Sequence, residues 1–271
     1  MRFAHISDLH LCRDPQATPG VRDDITGMVE AIAEDLDRIS DILDFIVLSG
    51  DLTDDAHPES FRTFVRIFES LPCPVFVVPG NHDGPAAFHA SKSTLSYLSD
   101  SDISGRLVQV GSLRVLGLDT CIEGETTGAL STGDLALIEK ELSVDSSGPL
   151  MIVMHHAPFD TGHSAFDAIS RLEGSADFSR LLQASGAKPI VLCGHIHRPY
   201  YAMWHGAACF VAGTPAAPFM SDLPFGDTPI YPEETQYSYF VHSLDTAGHH
   251  VVTPRSLSFG RHSGGELERR R

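Results

Sequence analysis

The sequence predicts an α/β fold in which helices flank two mixed β-sheets, giving a four-layer α-β-β-α sandwich. Two observations favour it. Short apolar runs of strand length alternate with amphipathic stretches of helical length along most of the 271 residues. Five of these strands end in Asp, Asn or His, at the positions where an α/β sheet collects its ligands. We therefore expect a single domain over residues 1–259.

The first half of the chain alternates strand and helix. Apolar residues at helical spacing predict a helix between Val21 and Leu43, and Pro58 is well placed in the first turn of a second helix that ends near Leu71. Three apolar runs alternate with these helices and predict strands at 1–7, 45–49 and 75–79. This β-α-β-α-β order predicts parallel strands joined by right-handed crossovers.

The second half continues the pattern less regularly. The dipeptide Gly111-Ser112 predicts a hairpin turn, and Ser131 or Thr132 is a candidate N-cap for a following helix. The predicted elements are strands at 106–110, 113–118, 150–154, 190–193, 238–244 and 249–253, two strands within 199–213, and helices at 132–143 and 166–184. Segments 84–105 and 215–237 show little periodicity and are predicted to be cap or lid segments, and residues 260–271 a disordered tail.

Composition excludes several classes of protein. The net charge of −17 lacks the positive footprint that a nucleic-acid polymer requires. The five cysteines are odd in number and form no C-x-x-C pair, so neither a disulfide framework nor a zinc ribbon is expected. Met1 leads directly into a strand and no apolar run approaches membrane-spanning length. We predict a cytoplasmic protein with no membrane partner.

The residues at the five strand ends form a set with its own chemistry. Each alone is an ordinary helix cap, turn former or structural histidine, whereas the ordered set favours metal binding. The candidate ligands are Asp8, His10, Asp51, Asn81, His156, His195 and His197. Oxygen and imidazole donors without a thiolate suit manganese, iron, cobalt or zinc. Seven side chains are too many for one ion with open positions, so we predict two ions bridged by Asp51.

Two such ions, about 3.5–4 Å apart, can clamp the attacking and leaving oxygens of a phosphoryl transfer. They also acidify a bound water, so that no side-chain nucleophile is needed. The sequence contains no G-x-S-x-G elbow, no Walker loop and no G-x-G-x-x-G. The chemistry predicted from these residues is metal-assisted hydrolysis of a phosphate ester.

The motifs that carry these residues resemble those of the calcineurin-like metallophosphoesterase superfamily, in the same order and at strand ends over residues 4–197. They are Asp8-x-His10, Gly50-Asp51, Gly80-Asn81-His82-Asp83, His155-His156 and Gly194-His195-x-His197. The chain length, the histidine doublet and the Gly-His-Ile-His run are most similar to bacterial class III cyclic nucleotide phosphodiesterases and glycerophosphodiesterases. The resemblance implies a metallophosphoesterase-like fold, a small phosphodiester as substrate and, as in related proteins, a possible homo-oligomer.

The resemblance also implies individual roles. It assigns Asp8, His10, Asp51 and His197 to the first metal ion, and Asp51, Asn81, His156 and His195 to the second. His82 would contact the substrate and the developing charge. Two residues are candidates for a supporting role next to the ligands, Asp54 three residues after the bridge and His155 beside the expected ligand His156.

The leading hypothesis is hydrolysis of a cyclic nucleotide or glycerophosphodiester by a metal-bound hydroxide, with His82 and Asp51 as the catalytic residues. A phosphomonoesterase of the same fold is the first alternative. A binding module that has lost catalysis is the second, although such a protein would be expected to lack some of the ligands or His82.

Overall fold

The protein is described by a computed structural model that covers residues 1–18, 20–144, 148–216, 220–221, 229–230 and 234–261. The strands are β1 Arg2–Ile6, β2 Phe45–Leu48, β3 Val75–Val77, β4 Leu107–Val110, β5 Leu113–Gly117, β6 Gly128–Ala129, β7 Leu150–Val153, β8 Leu172–Glu173, β9 Ile190–Cys193, β10 Tyr200–Trp204, β11 Ala207–Val211, β12 Met220–Ser221, β13 Pro229–Ile230, β14 Glu234–Leu244 and β15 His250–Arg261. The α-helices are α1 Ile25–Arg38, α2 Pro58–Phe68, α3 Pro85–Lys92, α4 Ser96–Ser101, α5 Thr132–Leu142, α6 Ser164–Ile169 and α7 Ser175–Ser185.

Two mixed sheets form the centre of the fold. The first has the strand order β15-β14-β1-β2-β3, with β1, β2 and β3 parallel and β14 antiparallel to β1. The second has the order β10-β11-β9-β7-β5-β4, in which the four central strands are parallel and the two edge strands are antiparallel to their neighbours. The predicted fold class, two mixed sheets flanked by helices, is confirmed.

Three apolar clusters separate the four layers. Ile6 and Leu48 of the first sheet pack with residues of α1 and α2, including Phe61. A second cluster joins the other sheet to α5 and α7, and includes Ile152 and Phe178. The third lies between the sheets and contains Phe3, Phe45, Val47, Val115, Met151 and Leu192. The sheets therefore face each other, which brings the carboxyl ends of β1, β2, β3, β7 and β9 within reach of one another.

Most predicted elements agree with the structure, and two predicted helices differ from it. The predicted helix at 166–184 is divided into α6, the short strand β8 and α7. Gly174, which precedes α7, has a φ of 85°, a left-handed conformation that interrupts a helix. Residues Leu172 and Glu173 pair with β6, about 44 residues earlier in the chain, a contact that local periodicity does not reveal.

The predicted helix at 21–43 is shorter than expected, because α1 covers Ile25–Arg38 and a 3₁₀ turn covers Ser40–Ile42. Ser131 is the N-cap of α5, where its hydroxyl accepts a hydrogen bond from the backbone N–H of Asp134.

Two segments were predicted to be caps. The segment 84–105 contains α3 and α4, whose Phe88 and Leu98 are buried in the first apolar cluster. The segment 215–237 lies largely outside the described residues, as does the predicted tail from residue 262 onward, while β15 includes residues 260–261. Among the described residues, no helix combines the length and the apolar character needed to cross a membrane.

Candidate metal centre

Five loops that follow β1, β2, β3, β7 and β9 meet at one edge of the two sheets. Ligand atoms of Asp8, His10, Asp51 and His197 lie within 4.8 Å of one another. A second group, Asp51, His155 and His195, is equally close, so that Asp51 belongs to both groups. The structure therefore brings together residues separated by up to 189 positions in the sequence.

The backbone at this edge adopts an uncommon conformation. Asp8, His10, Asp51, His195 and His197 have φ values of 56°, 48°, 50°, 72° and 56°. They account for five of the seven positive φ angles found at non-glycine residues in the described part of the chain. A left-handed conformation is costly for residues with a side chain, and such positions cluster at functional sites. The loops are held in shapes that turn these side chains towards a common centre.

Three glycines in the motifs allow the loops to approach closely. A Cβ at Gly80 would overlap the backbone nitrogen and carboxylate of Asp51. A Cβ at Gly194 would overlap Ser7 and Asp8, and one at Gly50, whose φ is 104°, would overlap the ring of His155. The glycines that the sequence motifs contain are thus required by contacts between different motifs.

The first group of side chains surrounds His10. Its Nδ1 lies 2.8 Å from Oδ1 of Asp54, which can only accept, so Nδ1 donates and Nε2 is the ring nitrogen that faces the centre. That Nε2 lies 2.9 Å from Nε2 of His197 and 3.6 Å from Oδ2 of Asp51. Nε2 of His197 is in turn 3.7 Å from Oδ1 of Asp8. Potential ligand atoms of four side chains therefore converge on one point.

The amide side chain of Asn81 lies next to the imidazoles of the second group. The side-chain oxygen of Asn81 lies 2.9 Å from Nδ1 of His195 and 3.1 Å from Nε2 of His155. The other ring nitrogens face backbone carbonyl oxygens, since Nδ1 of His155 is 2.8 Å from Ser49 O and Nε2 of His195 is 3.3 Å from Ile169 O. The nitrogens that face Asn81 and Asp51 are therefore the ones that could bind a cation, once they have lost their proton.

The two histidines of the doublet differ in their surroundings. We predicted His156 as a ligand of the second ion and His155 in a supporting position, whereas the ring that faces Asp51 is that of His155. Nε2 of His155 is 3.3 Å from Oδ2 of Asp51. The two ring nitrogens of His156 are instead 2.8 Å from the hydroxyl of Thr120 and 3.1 Å from the carbonyl of Thr126. His156 therefore holds the loop after β5, and its nitrogens are already engaged.

Asp51 lies at the centre with one oxygen left over. Its Oδ1 accepts a hydrogen bond of 2.8 Å from the backbone N–H of His82. Its Oδ2 is buried and accepts no hydrogen bond of good geometry, although Nε2 of His155 lies 3.3 Å from it. Burial favours the neutral acid, but His155, His10 and His82 outweigh that effect and hold the pKa of Asp51 well below its usual range. A buried carboxylate oxygen without a well-placed donor is costly unless a cation compensates it.

The electrostatics favour a cation at the same place. Burial lowers the pKa of His155, yet the carboxylate of Asp51 outweighs it and raises that pKa to about 9. Burial and the nearby Asp51 together raise the pKa of Asp8 to about 6. The buried carboxylates thus generate a negative potential that attracts positive charge. The donor set, the unpaired oxygen and this potential all fit metal ions held by oxygen and nitrogen ligands.

His82 and Asp54 lie beside the first group. Nδ1 of His82 is 3.2 Å from both the carboxylate and the backbone carbonyl of Asp54, and its side chain is 40 % exposed. Burial lowers the pKa of His82, but the carboxylates of Asp54 and Asp51 raise it to about 10. Asp54 contacts both His10 and His82, so one carboxylate orients the two rings.

Three supporting residues were not singled out from the sequence. Asp83, the last residue of the third motif, accepts hydrogen bonds from the loops of two motifs. The hydroxyl of Thr214 donates to the carbonyl of Asp8 at 2.6 Å, and that of Thr120 contacts His156. Thr214 follows β11 as the other site residues follow their strands, which is a signal that the sequence analysis could have used.

The fold and this geometry can be compared with those of known proteins. The sequence profile of the calcineurin-like phosphoesterase family matches residues 1–199, which include every candidate ligand. The chain belongs to this family. The two clusters of acidic and histidine side chains therefore lie in a phosphoesterase domain, where they could hold metal ions.

Similar proteins with curated names include phosphodiesterases. A probable cyclic nucleotide phosphodiesterase of Synechococcus sp. is 29% identical over 225 residues, or 83% of each chain. A probable glycerophosphodiester phosphodiesterase of Arcobacter nitrofigilis is 26% identical over 180 residues, or 66% of each chain. Among solved structures, a dimetal phosphatase from Danio rerio superposes with a TM-score of 0.67 at 14% identity, over 97% of this chain and 99% of that one. The structural likeness supports the fold.

Proposed function

We propose that this protein hydrolyses a small phosphodiester, of the cyclic nucleotide or glycerophosphodiester type, with two metal ions that share Asp51. The observation that carries the proposal is the buried Oδ2 of Asp51, which accepts no hydrogen bond of good geometry and lies between two groups of ligand atoms. One ion would be held by Asp8, His10 and His197 and the other by Asn81, His155 and His195, each together with Asp51. Iron, manganese, zinc and cobalt all suit this donor set.

When bound, the two ions would supply an acidified water and neutralise charge on the phosphoryl oxygens. The residues of the chain provide the rest. Asp54 holds the ring of His82 through Nδ1, so that Nε2 can be presented to the substrate. A protonated His82 can donate a hydrogen bond to a phosphoryl oxygen or a proton to the departing alkoxide. The carboxylate of Asp54 beside Nδ1 favours this protonated form of the ring.

The class of substrate follows from charge and from the relatives. A chain with a net charge of −17 disfavours long polyanions, which leaves small esters. Relatives named as cyclic nucleotide or glycerophosphodiester phosphodiesterases support a diester over a monoester. The same proposal takes residues 1–259 as one catalytic domain, with segment 84–105 bordering the substrate.

The test is a comparison of two chromogenic esters with a protein of known metal content. The protein is stripped with a chelator, reloaded separately with Mn²⁺, Fe²⁺, Zn²⁺ or Co²⁺, and assayed with bis-p-nitrophenyl phosphate and p-nitrophenyl phosphate. We expect two ions per chain, no turnover in the stripped protein, and a higher kcat/KM for the diester. Full activity of the stripped protein would refute metal-assisted hydrolysis.

The alternatives give different results in the same assay. A higher kcat/KM for the monoester would indicate a phosphomonoesterase of the same fold, an activity that the phosphatase among the structural neighbours makes worth testing. Two bound ions without turnover of either ester would indicate a binding module. Replacement of His82 by Ala separates these outcomes further, because it should lower kcat while leaving the metal content at two ions per chain.

A further inference from the structure

Asp83 is a fully buried carboxylate in the turn that carries Asn81 and His82. It accepts four hydrogen bonds. Its Oδ1 accepts from the backbone N–H of Thr53 at 2.8 Å and from the Thr53 hydroxyl at 3.0 Å. Its Oδ2 accepts from the backbone N–H of Gly80 at 2.8 Å and of Leu52 at 3.1 Å. All of these partners are donors, which suits an ionised carboxylate.

The donors lie next to candidate ligands on two different loops. Leu52 and Thr53 directly follow Asp51, and Gly80 directly precedes Asn81. Asp51 has a φ of 50°, a conformation that is unfavourable for aspartate unless its surroundings impose it. The two hydrogen bonds from the next residues hold the backbone there. One buried side chain thus fixes the loop of Asp51 relative to the loop of Asn81.

The consequence reaches the ligand atoms. With the loops in this register, the backbone N–H of His82 donates to Oδ1 of Asp51 at 2.8 Å. Oδ1 is thereby occupied, and Oδ2 is turned towards the two groups of ligands. The same register places the side-chain oxygen of Asn81 2.9 Å from His195. If the loops moved apart, the side chains of Asp51 and Asn81 would no longer face the same centre, although neither residue had been replaced.

We propose that Asp83 is a positioning residue for the metal centre, acting by locking the Asp51 loop to the Asn81 loop. This inference depends on the proposed dinuclear centre. Asp83 would not contact the metal ions or the substrate. Residues that orient metal ligands in this way typically change metal affinity ten- to hundredfold when they are replaced.

The test is the variant Asp83→Asn. Its amide NH₂ must face at least one backbone N–H that donates to a carboxylate oxygen in the wild-type protein. We expect the dissociation constants for Mn²⁺, measured by calorimetry on the stripped protein, to rise ten- to hundredfold. The matched control is Asp102→Asn. Asp102 is also buried and accepts from the backbone N–H and hydroxyl of Ser104 and from the ammonium of Lys92, but it ties no candidate ligand. The control should keep wild-type affinity for Mn²⁺.

The outcomes separate positioning from mere structure. Wild-type Mn²⁺ affinity in a folded Asp83→Asn variant would overturn the proposal, whatever its thermal stability. Should that variant fail to fold, Thr53→Val removes one of the four hydrogen bonds and should weaken Mn²⁺ binding about fivefold, while Thr53→Ser should restore it. Unchanged affinity in Thr53→Val would then overturn it. If the wild-type protein binds no Mn²⁺, the proposed function itself is contradicted. If it binds Mn²⁺ but does not hydrolyse the diester, the Mn²⁺ affinities of the variants still test the role of Asp83.

Discussion

The buried histidine His5 makes the stability of the metal-free protein depend on pH in a way that can be calculated. His5 lies on β1 between the sheets, with its Nε2 2.9 Å from the hydroxyl of Ser49 and its ring 6.0 Å from that of His242. Burial lowers the pKa of His5 to about 3, so the ring is neutral in the folded protein across the physiological range.

The sign of the effect follows from the direction of this shift. In the unfolded chain His5 regains its ordinary pKa of about 6.5, so between pH 6.5 and 3 only the unfolded state binds the proton. The contribution of the neutral His5 ring to the free energy of unfolding is complete above pH 6.5 and falls as the pH decreases through this range. One pKa unit is worth about 1.4 kcal/mol, and at pH 5 the loss due to His5 is about 2 kcal/mol.

The assay is urea unfolding of chelator-treated protein at pH 7.5 and pH 5.0, followed by circular dichroism. The variant His5→Phe removes the titrating group, and Ser49→Ala removes the hydrogen bond while keeping the histidine. The quantity to compare is the change in unfolding free energy between the two pH values. We expect His5→Phe to lose about 2 kcal/mol less than wild type, and Ser49→Ala to lose as much as wild type. An equal loss in His5→Phe and wild type would refute the reasoning.

Three further predictions use the loops and the helical layer. Gly80→Ala should abolish tight metal binding, as calorimetry would show, because its Cβ would overlap Asp51. Gly27 lies on a helix with open space around it, so Gly27→Ala should raise the free energy of unfolding, measured in urea, by roughly 0.5–1 kcal/mol. Asp35→Asn should cost about 2 kcal/mol at pH 7, because the carboxylate accepts from Tyr239 and Arg255. Arg255 lowers the pKa of Asp35, so this difference should shrink as the pH falls through that lowered value, as urea unfolding at pH 7 and pH 3 would show.

The convergence of the strand ends was predictable from the sequence for a simple reason. Parallel neighbouring strands end at the same edge of a sheet, so residues that follow β1, β2 and β3 must lie near one another. The same holds for β7 and β9 in the other sheet. The five strand ends meet only if the two sheets also pack face to face. The apolar residues along the strands predict that packing.

The choice within the histidine doublet was not predictable in the same way. His155 and His156 are adjacent and both buried, and the sequence does not indicate which ring faces Asp51. That choice depends on Ser49, whose carbonyl oxygen accepts from His155, and on Thr120, which binds His156. Both partners are distant in sequence and neither belongs to a histidine motif.

The broken helix has a similar origin. Apolar residues at helical spacing predicted one helix over 166–184, but two residues inside it pair with β6 and Gly174 takes a left-handed conformation. A tertiary pairing of two residues outweighs local propensity there.

The role proposed for Asp83 could not be predicted from its motif. It depends on donors from the loop of Asp51, about 30 residues away in the sequence.

The most direct test of the metal centre is an anomalous difference map from a crystal of the protein grown with Mn²⁺. We expect two peaks, both within bonding distance of Asp51, with Nε2 of His155 as a ligand of the ion that Asn81 and His195 also bind. A single peak, or two peaks with His156 in place of His155, would contradict it.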